Sequence, residues 1–162
     1  MAISKDPKQF TAVVRTPIGK LGIALSDDAG QLVSVDFLGD KYDARSSRIP
    51  LAVEIRNQLD AYFRDSAFEF DLPLGPAPTK FQDRLRSQLL AIPAGSVDTY
   101  GGLAGKMGSA PRAVGVALRS NPIPVIVPCH RIVAASGIGG FSGKTRGRMI
   151  NVKQWLLDHE RG

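Results

Sequence analysis

The chain has 162 residues, of which 43% are hydrophobic and 22% charged, a globular composition rather than a disordered or fibrous one. Twenty-one Lys and Arg against fifteen Asp and Glu give a formal charge of +6, which favours polyanionic partners without requiring them. No apolar run reaches the roughly 20 residues of a membrane span, and Met1-Ala2-Ile3-Ser4-Lys5-Asp6-Pro7 lacks the apolar core of a signal peptide, so a soluble, cytoplasmic protein is expected. A monomer is expected as well.

The first third reads as strand. Residues 10–15 alternate with β-branched side chains, Thr16-Pro17-Ile18-Gly19 makes a turn, and residues 21–25 form a second strand. Asp27-Asp28-Ala29-Gly30 is a further turn before a third strand at 32–37, and the short loops imply an antiparallel meander. From Pro50 to Arg64 the period changes: Leu51, Ile55, Leu59, Tyr62 and Phe63 share a helical stripe that packs on the sheet. A short strand is expected at 68–72. Pro73-Leu74-Gly75-Pro76-Ala77-Pro78 then reads as an extended linker, because each proline pushes its predecessor away from helix. The expected fold class is α+β, with a β-rich domain over 1–74 and a mainly helical domain over 75–162.

After the linker, Thr79 caps a helix carrying Phe81, Leu85 and Leu89, which Ile92-Pro93 ends. Thr99 caps a short helix from Tyr100 to Met107, with Gly108 as its stop, and Pro111 opens another that reaches Arg119. Two short helices around a glycine-containing turn fit a helix-turn-helix. Ile123 to Val127 reads as a buried extended segment between prolines, and a final helix runs from about Met149 to His159, with Met149, Val152, Leu156 and His159 on one stripe.

Cys129 is the sole cysteine, so no internal disulfide can form; with only His130 and His159 beside it, no structural zinc site, and no metal, is expected. The cysteine sits in Pro128-Cys129-His130-Arg131 and is a packed small hydrophobe, a redox accident or a nucleophile. The thiolate is the reactive form, and a neighbouring base raises its fraction. Adjacent residues on an extended strand point to opposite faces, so cooperation between Cys129 and His130 needs a tight turn or a bridging water. A glycine-rich loop, Ser136-Gly137-Ile138-Gly139-Gly140-Phe141-Ser142-Gly143, follows and allows close backbone approach to a ligand, although a plain surface turn would look the same.

The run Asn121-Pro122-Ile123-Pro124-Val125-Ile126-Val127-Pro128-Cys129-His130-Arg131-Ile132-Val133 resembles the active-site signature of the O6-alkylguanine-DNA alkyltransferases. Trp155-Leu156-Leu157-Asp158-His159-Glu160 resembles that family's closing helix, and Tyr100-Gly101 with Arg112-Ala113-Val114-Gly115 its helix-turn-helix. The resemblance spans about residues 79–160. It implies an RNase H-like sheet in the first domain and a double-stranded DNA partner carrying alkylated guanine. It implies no cofactor, because the alkyl group stays on the cysteine as a thioether and each molecule acts once.

The resemblance also implies roles. Cys129 would displace the alkyl group, His130 would take the thiol proton through a bridging water, and Glu160 would steady the imidazolium. Tyr100 and Ser142 would donate to the leaving base, and Asn121 would hold the turn before the cysteine. Arg112 would occupy the stack vacated by a flipped nucleotide, while Ala113, Gly115 and Arg119 would meet DNA. Val127, Pro128, Phe141 and Ser142 would form the base pocket.

Two stretches depart from the pattern. The segment from Tyr100 to Arg112 is about two residues short, and Lys144-Thr145-Arg146-Gly147-Arg148 extends the loop before the last helix, its cations either touching phosphate or simply solvated. Three alternatives stay open: a binding-only lesion sensor, which would lack the cysteine, a cysteine hydrolase, which would turn over, and a helix-turn-helix regulator, which would not need Cys129.

Overall fold

The computed structural model describes residues 9–162; the opening segment in which no signal peptide was expected lies outside them. The described residues separate between Pro76 and Ala77 into two compact units.

In the first unit, strands β1 (Ala12–Thr16), β2 (Gly19–Leu25) and β3 (Leu32–Leu38) form an antiparallel meander in the order β1-β2-β3. Thr16 pairs with Gly19 across the first turn, where a positive φ of 101° suits glycine. Helix α1 (Pro50–Arg64) packs on β1 with Ile55, Leu59 and Tyr62 buried, while Leu51 and Phe63 of the expected stripe are only half-buried.

Residues 68–72 do not form the expected strand. Their backbone is tied to a side chain instead: Gln58 accepts from the Asp71 N–H and donates to the Asp71 carbonyl, both at 2.9 Å. The glutamine takes the place of a neighbouring strand, and Phe70 packs against Tyr62 in a tilted pair with ring centroids 5.2 Å apart.

The second unit is mostly helical. Thr79 caps α2 (Lys80–Leu90) and Thr99 caps α3 (Tyr100–Met107), each hydroxyl accepting from the backbone N–H three residues on. Gly108, at φ 62°, ends α3 in the left-handed conformation glycine accepts without cost. Helix α4 (Pro111–Arg119) follows and packs on α3 as the second member of the helix-turn-helix.

Ile123–Val127 is buried, as expected, but coiled rather than extended. The Val127 N–H returns to the Ile123 carbonyl at 2.9 Å, and Val125 adopts φ 72°, an outlier for a β-branched residue. The side chain of Asn121 imposes this loop: its Oδ1 accepts from the Ile123 N–H and its Nδ2 donates to the Val127 carbonyl. A two-stranded parallel pairing that the sequence did not announce, β4 (Asp98–Thr99) with β5 (Ile132–Val133), sets the start of α3 beside the chain leaving the cysteine. Helix α5 (Arg148–Arg161) closes the unit.

Candidate active site

Residues Cys129–Arg131 form a single 3₁₀ turn between the coiled Asn121 loop and β5. The turn leaves the thiol 9% exposed and buries the imidazole completely.

Behind the cysteine, His130 Nε2 lies 2.9 Å from Glu160 Oε2, reaching α5 across thirty residues of sequence. With Nε2 committed to the carboxylate, the buried Nδ1 has no hydrogen-bond partner among the described residues. Burial holds the imidazole pKa below the usual histidine value despite the upward pull of Glu160, and the Arg131 and Lys153 cations add to the depression. At neutral pH the ring is therefore an uncharged base.

Arg131 locks the carboxylate. Its Nε donates to Glu160 Oε1 and its Nη2 to Oε2, both at 2.9 Å, while Nη1 donates to the Ile92 carbonyl at 2.6 Å. Such a forked pair fixes orientation as well as charge. Sequence alone assigns Arg131 no role; its place in the tetrapeptide is the signal that could have found it.

Cys129 forms part of the wall of a cavity of about 310 Å³, with Tyr100, Gly115, Arg119, Phe141 and Ser142 around it. Burial pushes the thiol pKa up, opposed by a hydrogen bond from Asn121 and by the charge of Lys153. Tyr100 Oη accepts from the Gly140 N–H at 3.2 Å, and desolvation raises its pKa too, so it stays a protonated donor. Gly139 makes room for it: a Cβ there would lie 2.9 Å from the tyrosine oxygen.

Lys153, wholly buried on α5 beside the cysteine segment, is a second residue of the site that the sequence does not announce. Its Nζ donates to the carbonyls of Ile132 and Gly140, at 2.7 and 2.8 Å, tying the cysteine segment to the glycine-rich loop. Desolvation drives its pKa down to about 8, against the pull of Cys129. Its spacing of seven from Glu160 places both on one helix face, the signal that could have revealed it.

Not every expected residue meets the cavity. Val127 and Pro128 are buried but off its wall, Val127 facing a smaller cleft with Asn121 and Pro122. Arg112 and Ala113 are exposed on the first turn of α4. No helix among the described residues is long and apolar enough to cross a membrane.

The chain is similar to known proteins in both sequence and fold. Residues 80–162 match the family model described as 6-O-methylguanine DNA methyltransferase, DNA binding domain. A methylated-DNA–protein-cysteine methyltransferase of Saccharolobus islandicus is 35% identical over 146 residues, covering 90% of this chain and 91% of its own. The solved O6-methylguanine methyltransferase of Mycobacterium tuberculosis superposes with a TM-score of 0.76 at 34% identity, over 92% of this chain and 90% of that one. A structure of the M. tuberculosis protein in complex with DNA gives 0.74 at 35% identity, over 92% and 91%.

Fold, site and relatives together define a DNA-repair protein of the class that moves alkyl groups from DNA onto a protein cysteine. Specifically, the chain belongs to the 6-O-methylguanine DNA methyltransferase family.

Proposed function

We propose that Cys129 is the acceptor, and that each molecule removes one alkyl group from O6-alkylguanine, or from O4-alkylthymine, and is then spent. The observation that carries the reading is the order Cys129, His130, Glu160: a pocket-facing thiol next to a buried imidazole whose far nitrogen is held by a locked carboxylate. Because burial raises the thiol pKa, the thiolate is scarce at rest and the reaction needs a base. His130 Nδ1 takes the proton through a water, and Glu160 offsets the charge that forms.

The sulfur then forms a bond to the alkyl carbon as the carbon–oxygen bond to the base breaks. Tyr100 donates a proton to the departing base, Ser142 adds a hydrogen bond, and the thiol proton replaces the one the tyrosine gives up. Asn121 holds the turn and the sulfur, and Phe141 packs against the bound base. The resulting thioether does not hydrolyse, so the protein is not regenerated.

A cysteine this recessed cannot reach a stacked base, so the nucleotide rotates out of the duplex. Arg112, followed on α4 by Ala113 and Gly115, fills the gap from the minor groove. Residues 75–162 then hold all the chemistry and DNA contact, and residues 1–74 have a structural role.

Titration of the protein with duplex DNA containing O6-methylguanine tests this. One lesion should disappear per chain, Cys129→Ser should remove none, and Arg112→Ala should lose more activity on duplex than on the isolated alkylated base. Repeated turnover would indicate a hydrolase, and undiminished transfer by Cys129→Ser would end the proposal.

A further inference from the structure

Between Thr99 and Leu157 the sequence holds eight Lys and Arg but no Asp or Glu. Lys106 pairs with Asp98, Arg131 with Glu160, and Lys153 with two backbone carbonyls. Other exposed cations fall on two segments: Arg112 and Arg119 on α4, and Lys144, Arg146 and Arg148 on the loop entering α5.

The two segments meet at the cavity. Phe141 and Lys144 exchange backbone hydrogen bonds of 2.8 and 2.9 Å around a two-residue turn, with Ser142 at φ 51° and Gly143 at φ 77°. Positive φ at both positions is what a tight hairpin of this kind demands. The turn sits against the stem of Arg119, for a Cβ on Gly143 would come within 3.1 Å of its Cδ. Arg119, Lys144 and Thr145 all line the cavity that contains Cys129. The cysteine pocket is thus flanked by one cationic helix and one cationic loop.

The helix starts give a second indication. In this unit α2 and α3 begin with a threonine side-chain cap, whereas α4 and α5 begin with none. Neither α4 nor α5 has an acid in its first turn, and α4 carries Arg112 there. A cation at the positive end of a helix dipole is unfavourably placed unless an anion lies close by.

We infer that the loop of residues 144–148 is a second grip on the DNA backbone, in which Lys144, Arg146 and Arg148 hold phosphates of the strand whose nucleotide enters the pocket. This rests on the DNA reading above and extends it to a segment outside the helix-turn-helix. The grip is electrostatic, so it needs charge rather than guanidinium geometry.

The test is binding of the full chain to a duplex carrying one O6-methylguanine, followed by fluorescence anisotropy over a salt series. Each phosphate contact contributes about 0.9 to the slope of log affinity against log salt. The double variant Arg146→Gln/Arg148→Gln should therefore lose nearly two units of slope and bind about tenfold or more weakly at physiological salt, as expected for two lost contacts. Arg146→Lys/Arg148→Lys should keep the slope, and so should Arg48→Gln/Arg56→Gln, which removes two exposed cations of the first unit. An unchanged slope in the glutamine pair, an equal drop in the Arg48/Arg56 pair, failure of the lysine pair to restore it, or no binding by the unaltered protein would each overturn the inference. Failure of the alkyl-transfer reading looks different: the unaltered protein would bind with its full slope yet take no methyl group.

Discussion

Residues 1–76 carry nine Lys and Arg against eleven Asp and Glu, a net charge of −2, whereas residues 77–162 carry twelve against four, a net charge of +8. The two units differ in their interiors as well. Among the described residues, buried polar side chains in the first are Ser34 and Gln58, both neutral; in the second they are His130, Lys153 and Glu160, all ionisable. Burying ionisable groups costs several kcal/mol each unless they are well paired, so their concentration in one unit marks where chemistry rather than stability has shaped the sequence. The overall surplus of +6 understates the basic unit because the first unit offsets part of it.

The sharpest way to break this contrast is Glu160→Gln. It removes the charge that steadies His130 and strips Arg131 of its forked partner. Alkyl transfer should slow on the order of a hundredfold, as for loss of a general base, and urea unfolding should show a loss of about 3 kcal/mol from the broken buried pair. Leu59→Ala probes the other unit. This fully buried leucine should cost about 3 kcal/mol in the same unfolding measurement, while the transfer rate per folded molecule stays unchanged; a rate falling with stability would make the first unit part of the mechanism.

Asn121→Ala acts between these extremes. It leaves the Ile123 N–H and the Val127 carbonyl without their partners, costing about 2 kcal/mol, and releases the strained Val125 loop that presents the cysteine. Transfer should fall more than stability alone explains. The smallest effect concerns thiol reactivity: because burial raises the Cys129 pKa, less thiolate exists at a given pH than in the unfolded chain. Iodoacetamide at pH 8 should modify folded Cys129 severalfold more slowly than the same residue in urea. Faster reaction would mean a thiolate already formed, with no need for His130.

Much of the fold is legible in the amino-acid sequence. Thr99, Gly108 and Pro111 are strong local punctuation, and they bound α3 and α4 as observed. The meander and α1 follow from their periods, with ends that move by a residue or two at the strands. The two failures have different causes. Residues 68–72 have strand-like alternation, yet the group that satisfies their backbone is a glutamine on α1. Ile123–Val127 is uniformly apolar, and such a run carries no period from which to tell coil from strand.

At the site, Cys129, Tyr100, Gly115, Arg119, Phe141 and Ser142 converge on one cavity, and His130 and Glu160 meet behind it. Lys153 and Arg131 escape notice in the sequence because lysine and arginine are normally surface residues, and only the fold shows carbonyls and a carboxylate closing around them.

On the proposed function, Cys129 keeps the alkyl group that it removes. Intact-mass measurement after incubation with a duplex containing one O6-methylguanine, followed by peptide mapping, tests it most directly. One added methyl group per chain, located on Cys129 and stable to dilution, is the expected result. An unchanged mass with the lesion lost, or a methyl group on any other residue, would contradict it.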